Sequence, residues 1–69
     1  MNAGWIFEVE SENGTILFVA RTSSPLKAEE IIRETFNIPQ KIDVIPVRPL
    51  SEEFLDELKM AHDEAKGPM

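Results

Sequence analysis

The sequence predicts a small α+β domain in the order β-β-α-β-α, with a three-stranded antiparallel sheet of order 2-1-3 packed with two helices. Three observations lead there. Two runs of alternating apolar and polar residues meet at Asn13-Gly14, a strong short-range signal for a β-hairpin. Ser24-Pro25 then opens a stretch whose apolar residues recur at helical spacing. A β-branched run from Lys41 to Arg48 precedes Ser51 and a second helical pattern.

Strand one is expected over residues 4–11 and strand two over 15–21. A two-residue Asn13-Gly14 turn sets Val9 opposite Phe18, Phe7 opposite Ala20 and Ser11 opposite Ile16. A four-residue loop from Ser11 to Gly14 pairs different partners but keeps the same residues on each face. A three-residue loop mixes the faces, and the hydrophobic pattern rejects it. Trp5, Phe7, Val9, Ile16, Phe18 and Ala20 therefore share one face. The other carries Glu8, Glu10 and Glu12 beside Ile6, Leu17, Val19 and Arg21.

Helix one is expected over residues 25–36. Ser24 supplies the N-cap, and Pro25 stands at a first helical position where a missing N–H costs nothing. Ala28, Ile31, Ile32, Thr35 and Phe36 form its apolar stripe, with Leu26 beside it. Asn37 suits a left-handed C-terminal position, and Pro39 prevents continuation.

Strand three is expected over residues 41–48. Pro46 cannot donate to a ladder, so this strand belongs at a sheet edge. A right-handed crossover through helix one makes it parallel to strand two and, beside strand one, antiparallel to its neighbour. Helix two is expected over residues 51–66, capped by Ser51, with Glu52 and Glu53 favourably placed against the N-terminal dipole. Its stripe reads Phe54, Leu55, Leu58, Ala61, His62, Ala65, and Gly67-Pro68 ends it.

The 69 residues leave room for one domain, residues 1–69, with a small core. Cysteines are absent, so neither disulfides nor thiolate metal sites support it, and tight packing or self-association must. No apolar run approaches the roughly 20 residues needed to span a bilayer. Met1-Asn2-Ala3-Gly4 lacks the basic start of a secretory leader, which makes a cytoplasmic location the default expectation. Thirteen acidic and seven basic side chains give a net charge of -6. The basic residues are scattered singly, which disfavours direct contact with nucleic acid or with an anionic membrane.

Catalytic machinery is not expected. His62 is the only histidine, and its neighbours Asp63 and Glu64 project in other directions on a helix, so they form no dyad with it. There is no nucleophile elbow and no phosphate-cradling glycine loop. Ser11-Glu12-Asn13-Gly14 has too few oxygens for a calcium loop, and the acidic start of helix two is accounted for by the helix dipole. No cofactor and no metal is expected. Pro46-Val47-Arg48-Pro49 has the form of a ligand for an aromatic groove, but ending a strand and launching a helix explains both prolines.

The second hairpin face is the candidate interaction surface: Ile6, Glu8, Glu10, Leu17, Val19 and Arg21. It is too apolar for a freely solvated surface and too acidic for a core. Helix two folding across it, a second copy of the chain, or another protein would each account for it. The free edge of strand two offers a further route to pairing between chains. The expectation is a small non-catalytic protein-binding domain whose partner is another protein or itself, as a homodimer. The alternative is an acidic inhibitor or nucleic-acid-mimicking decoy, of phage or mobile-element type, that occupies a basic protein groove.

Overall fold

The structure is a computed structural model that describes residues 3–69; Met1 and Asn2, half of the segment read as lacking a leader, lie outside them. Two strands, β1 (Gly4–Ser11) and β2 (Gly14–Ala20), form the hairpin. Helix α1 (Pro25–Phe36) follows, then β3 (Ile45–Leu50), a short helix α2 (Glu52–Glu57) and a two-residue strand β4 (Ala65–Lys66). The four strands make one antiparallel sheet in the order β3-β1-β2-β4. The expected α+β class is present, but the sheet has four strands where three were expected. β1 lies between β2 and β3, and the order continues past β2 to β4.

The hairpin takes the register of the four-residue Ser11–Gly14 loop, turning at Glu12 and Asn13 and not at Asn13-Gly14. Its register pairs Ser11 with Gly14, Val9 with Ile16 and Phe7 with Phe18. The primed turn suited to Asn-Gly needs positive φ at both central residues, and here only Gly14 adopts it, at φ 115°. Ser11 explains the shift: its Oγ accepts from the Asn13 N–H at 3.3 Å and donates to the Gly14 carbonyl at 2.9 Å. The face assignment survives because the slip is two residues, an even number.

Helix α1 begins and ends on its own local chemistry. The Ser24 hydroxyl accepts from the Lys27 N–H at 3.3 Å, and Pro25 opens the helix. Asn37 closes it in the left-handed conformation (φ 53°, ψ 46°), and the Ile38 N–H donates back to the Arg33 carbonyl. Ala28 and Ile32 are buried against Phe7, Val9, Phe18 and Ala20 of the hairpin. Full burial of an aliphatic side chain such as Ile32 stabilises by roughly 1.5–3 kcal/mol. Thr35 and Leu26, read as part of or beside the stripe, are exposed, Leu26 at 77%.

Strand three is shifted relative to the expected 41–48. A turn through Pro39-Gln40-Lys41-Ile42, closed by the Ile42 N–H on the Pro39 carbonyl at 3.0 Å, uses up its first residues. Arg33 pins that turn by donating from Nη1 to the Pro39 carbonyl at 2.8 Å. Val44 is thereby delivered to the core rather than to the sheet. Pro46 and Pro49 both lie in an edge strand, and β3 skips Val47 in its pairing with β1, a bulge of the kind that edges favour.

The largest departure is helix two, expected over 51–66 and present only as Glu52–Glu57. The Ser51 cap is in place, its hydroxyl accepting from the Phe54 N–H at 3.3 Å. Lys59 then takes a left-handed φ of 56° and Asp63 one of 59°, which turns the chain back toward the sheet. The returning segment runs along β2: Asp63 N–H donates to the Arg21 carbonyl, Arg21 N–H to the Glu64 carbonyl, and Met69 N–H to the Leu17 carbonyl. Continuing the helix would leave these β2 groups unpaired, and backbone groups near a core are costly to leave without partners. The edge of strand two, expected to be free, is covered.

A candidate protein interface on the second sheet face

The second face of the sheet is covered at one end and open at the other. β1 and β2 pair Ile6 with Val19 and Glu8 with Leu17 on this face, and Glu10 with Thr15 nearest the turn. β3 adds Leu50 beside Gly4, Arg48 beside Ile6 and Ile45 beside Glu8. Helix α2 and the turn after it bring Leu55 and Met60 onto Val19 and Leu50, with Ile6, Leu58 and Ala3 around them. This second core is separate from the one under α1.

Length explains the division. Six helical residues span about 9 Å at 1.5 Å per residue, whereas the eight residues of β1 run about 26 Å at 3.3 Å each. A helix that short covers one end of the face only. Leu17 is half-buried and packs against neither core. Ile45 is 43% exposed and Val47 is 50% exposed. Glu10 is exposed and Glu8 half-buried.

The residues chosen from the sequence therefore fall into two groups. Glu8, Glu10 and Leu17 lie on the open end. Ile6 packs into the second core, Val19 is fully buried there, and Arg21 is 8% exposed, so these three belong to the interior. Alternation along the strands identified the face correctly, but it carries no information on how far the covering helix reaches. Ile45 and Arg48 join the surface from β3, and strict alternation hid this because the bulge at Val47 is what puts both on one face.

Arg21 acts as a clamp for the covering segment. Its Nη1 donates to the Met60 carbonyl at 2.7 Å, and its Nη2 lies 2.8 Å from Asp56 Oδ1. Asp56 is 67% exposed on its side chain, so this ion pair is screened. The buried bond to Met60 is the stronger part. Arg21 Nε is buried without a partner among the described residues.

His62 stands elsewhere, exposed beside Asp63, Glu52 and Thr22 around a cleft of about 670 Å³. Among the described residues no hydrogen bond orients its ring, and no three His, Asp or Glu side chains are grouped to hold a metal ion. No described helix is long and apolar enough to cross a membrane. No protein-family model, no curated protein and no solved structure matches the chain.

Proposed function

We propose that this chain is a non-catalytic protein-binding module that engages its partner through the open end of the second sheet face. The observation that carries the reading is Leu17, half-buried yet outside both cores, in a row across the sheet with Glu8 and the exposed Ile45. Apolar groups interleaved with a glutamate suit a non-obligate interface, which is about as mixed in character as the rest of a protein surface. The same face offers an acid and a base in adjacent strands, Glu8 on β1 and Arg48 on β3. Under a two-fold axis, Arg48 of one copy meets Glu8 of the other, which makes the patch self-complementary and a homodimer the first partner to test. The unoriented His62 gives no support to a catalytic reading.

A photo-cross-linking residue at position 17 tests this, with one at exposed Leu26 on α1 as control. The expected result is a discrete cross-linked species from position 17 and none from position 26. A dimer band accompanied by a doubled mass in light scattering identifies self-pairing. Absence of any species from position 17, both in the purified protein and in its native cell, sinks the reading.

The second reading is an acidic decoy for a basic groove. Exposed Glu10 and Glu12 beside Glu8 favour it. Association that weakens steeply as salt is raised supports the decoy, because exposed charges are screened over about 8 Å at physiological salt. Salt-insensitive association supports the apolar contact at Leu17.

A further inference from the structure

We infer that the return segment, residues 58–69, is a removable cover on the edge of β2, and that β2 so exposed pairs with β2 of a second copy. This goes beyond the second-face reading, because it uses an edge of the sheet and not a face. The two edges of the sheet are protected differently. β3 carries Pro46, Pro49 and a bulge, devices that blunt an edge by themselves. β2 reads Gly-Thr-Ile-Leu-Phe-Val-Ala, rich in strand formers and free of charge and proline. Nothing in β2 itself discourages a further strand, so its protection rests on the segment laid along it. That segment supplies the two-residue β4 and backbone bonds to Leu17 and Arg21.

The cover has a second conformation within reach. Leu58, Lys59, Met60, Ala61, Glu64, Ala65 and Lys66 are good helix formers, and no glycine or proline separates them from α2. In the closed form Lys59 and Asp63 hold φ of 56° and 59°, a conformation that crowds the Cβ of an L-residue. Continuing α2 relieves both residues and sets them four apart on one helix face, where their opposite charges attract. It also carries Met60 about 140° round the helix from Leu55. Met60 then leaves the second core, its carbonyl leaves Arg21, and the β2 edge loses its partners. A second copy fits that edge. Pairing β2 with β2 about a two-fold axis is self-complementary and joins two uncharged strands. Antiparallel pairing also sets the Arg21 end of each strand beside the turn of the other, where Glu12 stands.

The test shifts the cover and then locks it. Lys59→Ala with Asp63→Ala favours the helix, Lys59→Gly with Asp63→Gly favours the return, and the two variants have the same net charge. Ala20 and Ala65 are direct partners across β2 and β4, and the chain has no cysteine of its own. Ala20→Cys with Ala65→Cys therefore places one tether that reductant opens. Dimerisation is read by analytical ultracentrifugation over a concentration series, and the state of residues 58–66 by their Cα chemical shifts. The alanine pair is expected to dimerise at least about 10-fold more tightly than the glycine pair and to show helical shifts over 58–66. The oxidised tether is expected to abolish both effects in the alanine background, and its reduction to restore them. Equal dimerisation of the two pairs, or no dimer of the alanine pair, overturns the inference. A dimer that persists with the tether oxidised also overturns it and leaves the second-face reading standing. Cross-linking from position 17 in the oxidised protein tests that face separately, since it is open while the cover is closed. Melting curves check that each variant folds; if the alanine pair does not, the tether and its reduction in the unaltered chain decide alone.

Discussion

Arg21, the residue after β2, donates from Nη1 to the carbonyl of Met60 at 2.7 Å, tying the end of the hairpin to the segment that covers its second face. That segment follows α2 and has left helical geometry by Lys59, where the Met60 N–H still donates back to the Leu55 carbonyl at 3.2 Å. The guanidinium takes up the Met60 carbonyl and so ties the turn to the sheet. Its second arm, to Asp56, reaches a largely exposed carboxylate.

Arg21→Ala is therefore expected to cost about 2–4 kcal/mol, from a lost charged hydrogen bond in a buried setting and a cavity in its place. Asp56→Asn removes only the screened pair and should cost less than about 1 kcal/mol. Urea unfolding of both variants checks the ratio. Equal losses would mean that the ion pair, not the bond to Met60, holds the segment.

Leu17 and Val19 are two residues apart on one face of β2 and should respond oppositely to charge. Val19 is fully buried, and an aspartate there must be desolvated without a partner, so Val19→Asp is expected to abolish folding or to cost at least about 3 kcal/mol. Leu17→Asp should shift stability by less than about 1 kcal/mol and act instead on association. Circular-dichroism melting read beside light scattering separates the two effects. A Leu17→Asp variant that unfolds places Leu17 in the core and removes the surface proposed above.

Much of this fold was legible because its signals are local. Ser24-Pro25 and Asn37-Ile38-Pro39 mark both ends of α1 within a turn of the helix itself, and both ends match. Alternation from Trp5 to Val9 and from Ile16 to Ala20 sorted the hairpin faces whichever turn was used. Helix two failed for the opposite reason. Residues 58–66 keep helical spacing of apolar groups, and no glycine or proline interrupts them. What ends the helix is the hydrogen-bonding need of a β2 edge some forty positions earlier, which no window on the local sequence contains. The same non-local event decided which half of the second face stays open, so Ile6, Val19 and Arg21, read as surface, lie in the interior.

Gly4 is the position where the second face tolerates least. A Cβ there would lie 2.6 Å from the Ala20 carbonyl oxygen and 2.7 Å from Leu55 Cδ1. Gly4→Ala is expected to cost about 1–3 kcal/mol by overpacking. Trimming the side chain with Leu55→Ala should not rescue it, because the backbone oxygen of Ala20 cannot retreat without moving β2. A double-mutant cycle measured by urea unfolding tests this, and full rescue would show that Leu55 alone sets the limit.

Lys59 holds a left-handed φ of 56° at the point where the chain leaves α2. That conformation costs an ordinary L-residue roughly 1–2 kcal/mol, and glycine avoids it at the expense of a more flexible unfolded chain. Lys59→Gly is thus expected to stabilise by about 0.5–1 kcal/mol. Asn37→Gly, at φ 53°, should gain less, because asparagine already tolerates this region. Lys59→Val should lose stability for the converse reason: a β-branched side chain at positive φ crowds its own backbone. Thermal melts of the three variants order them as Lys59→Gly above Asn37→Gly above Lys59→Val. If glycine at 59 brings no gain, the turn is fixed by the Lys66 Nζ bond to the Leu58 carbonyl at 2.6 Å, and strain at Lys59 plays no part in ending the helix.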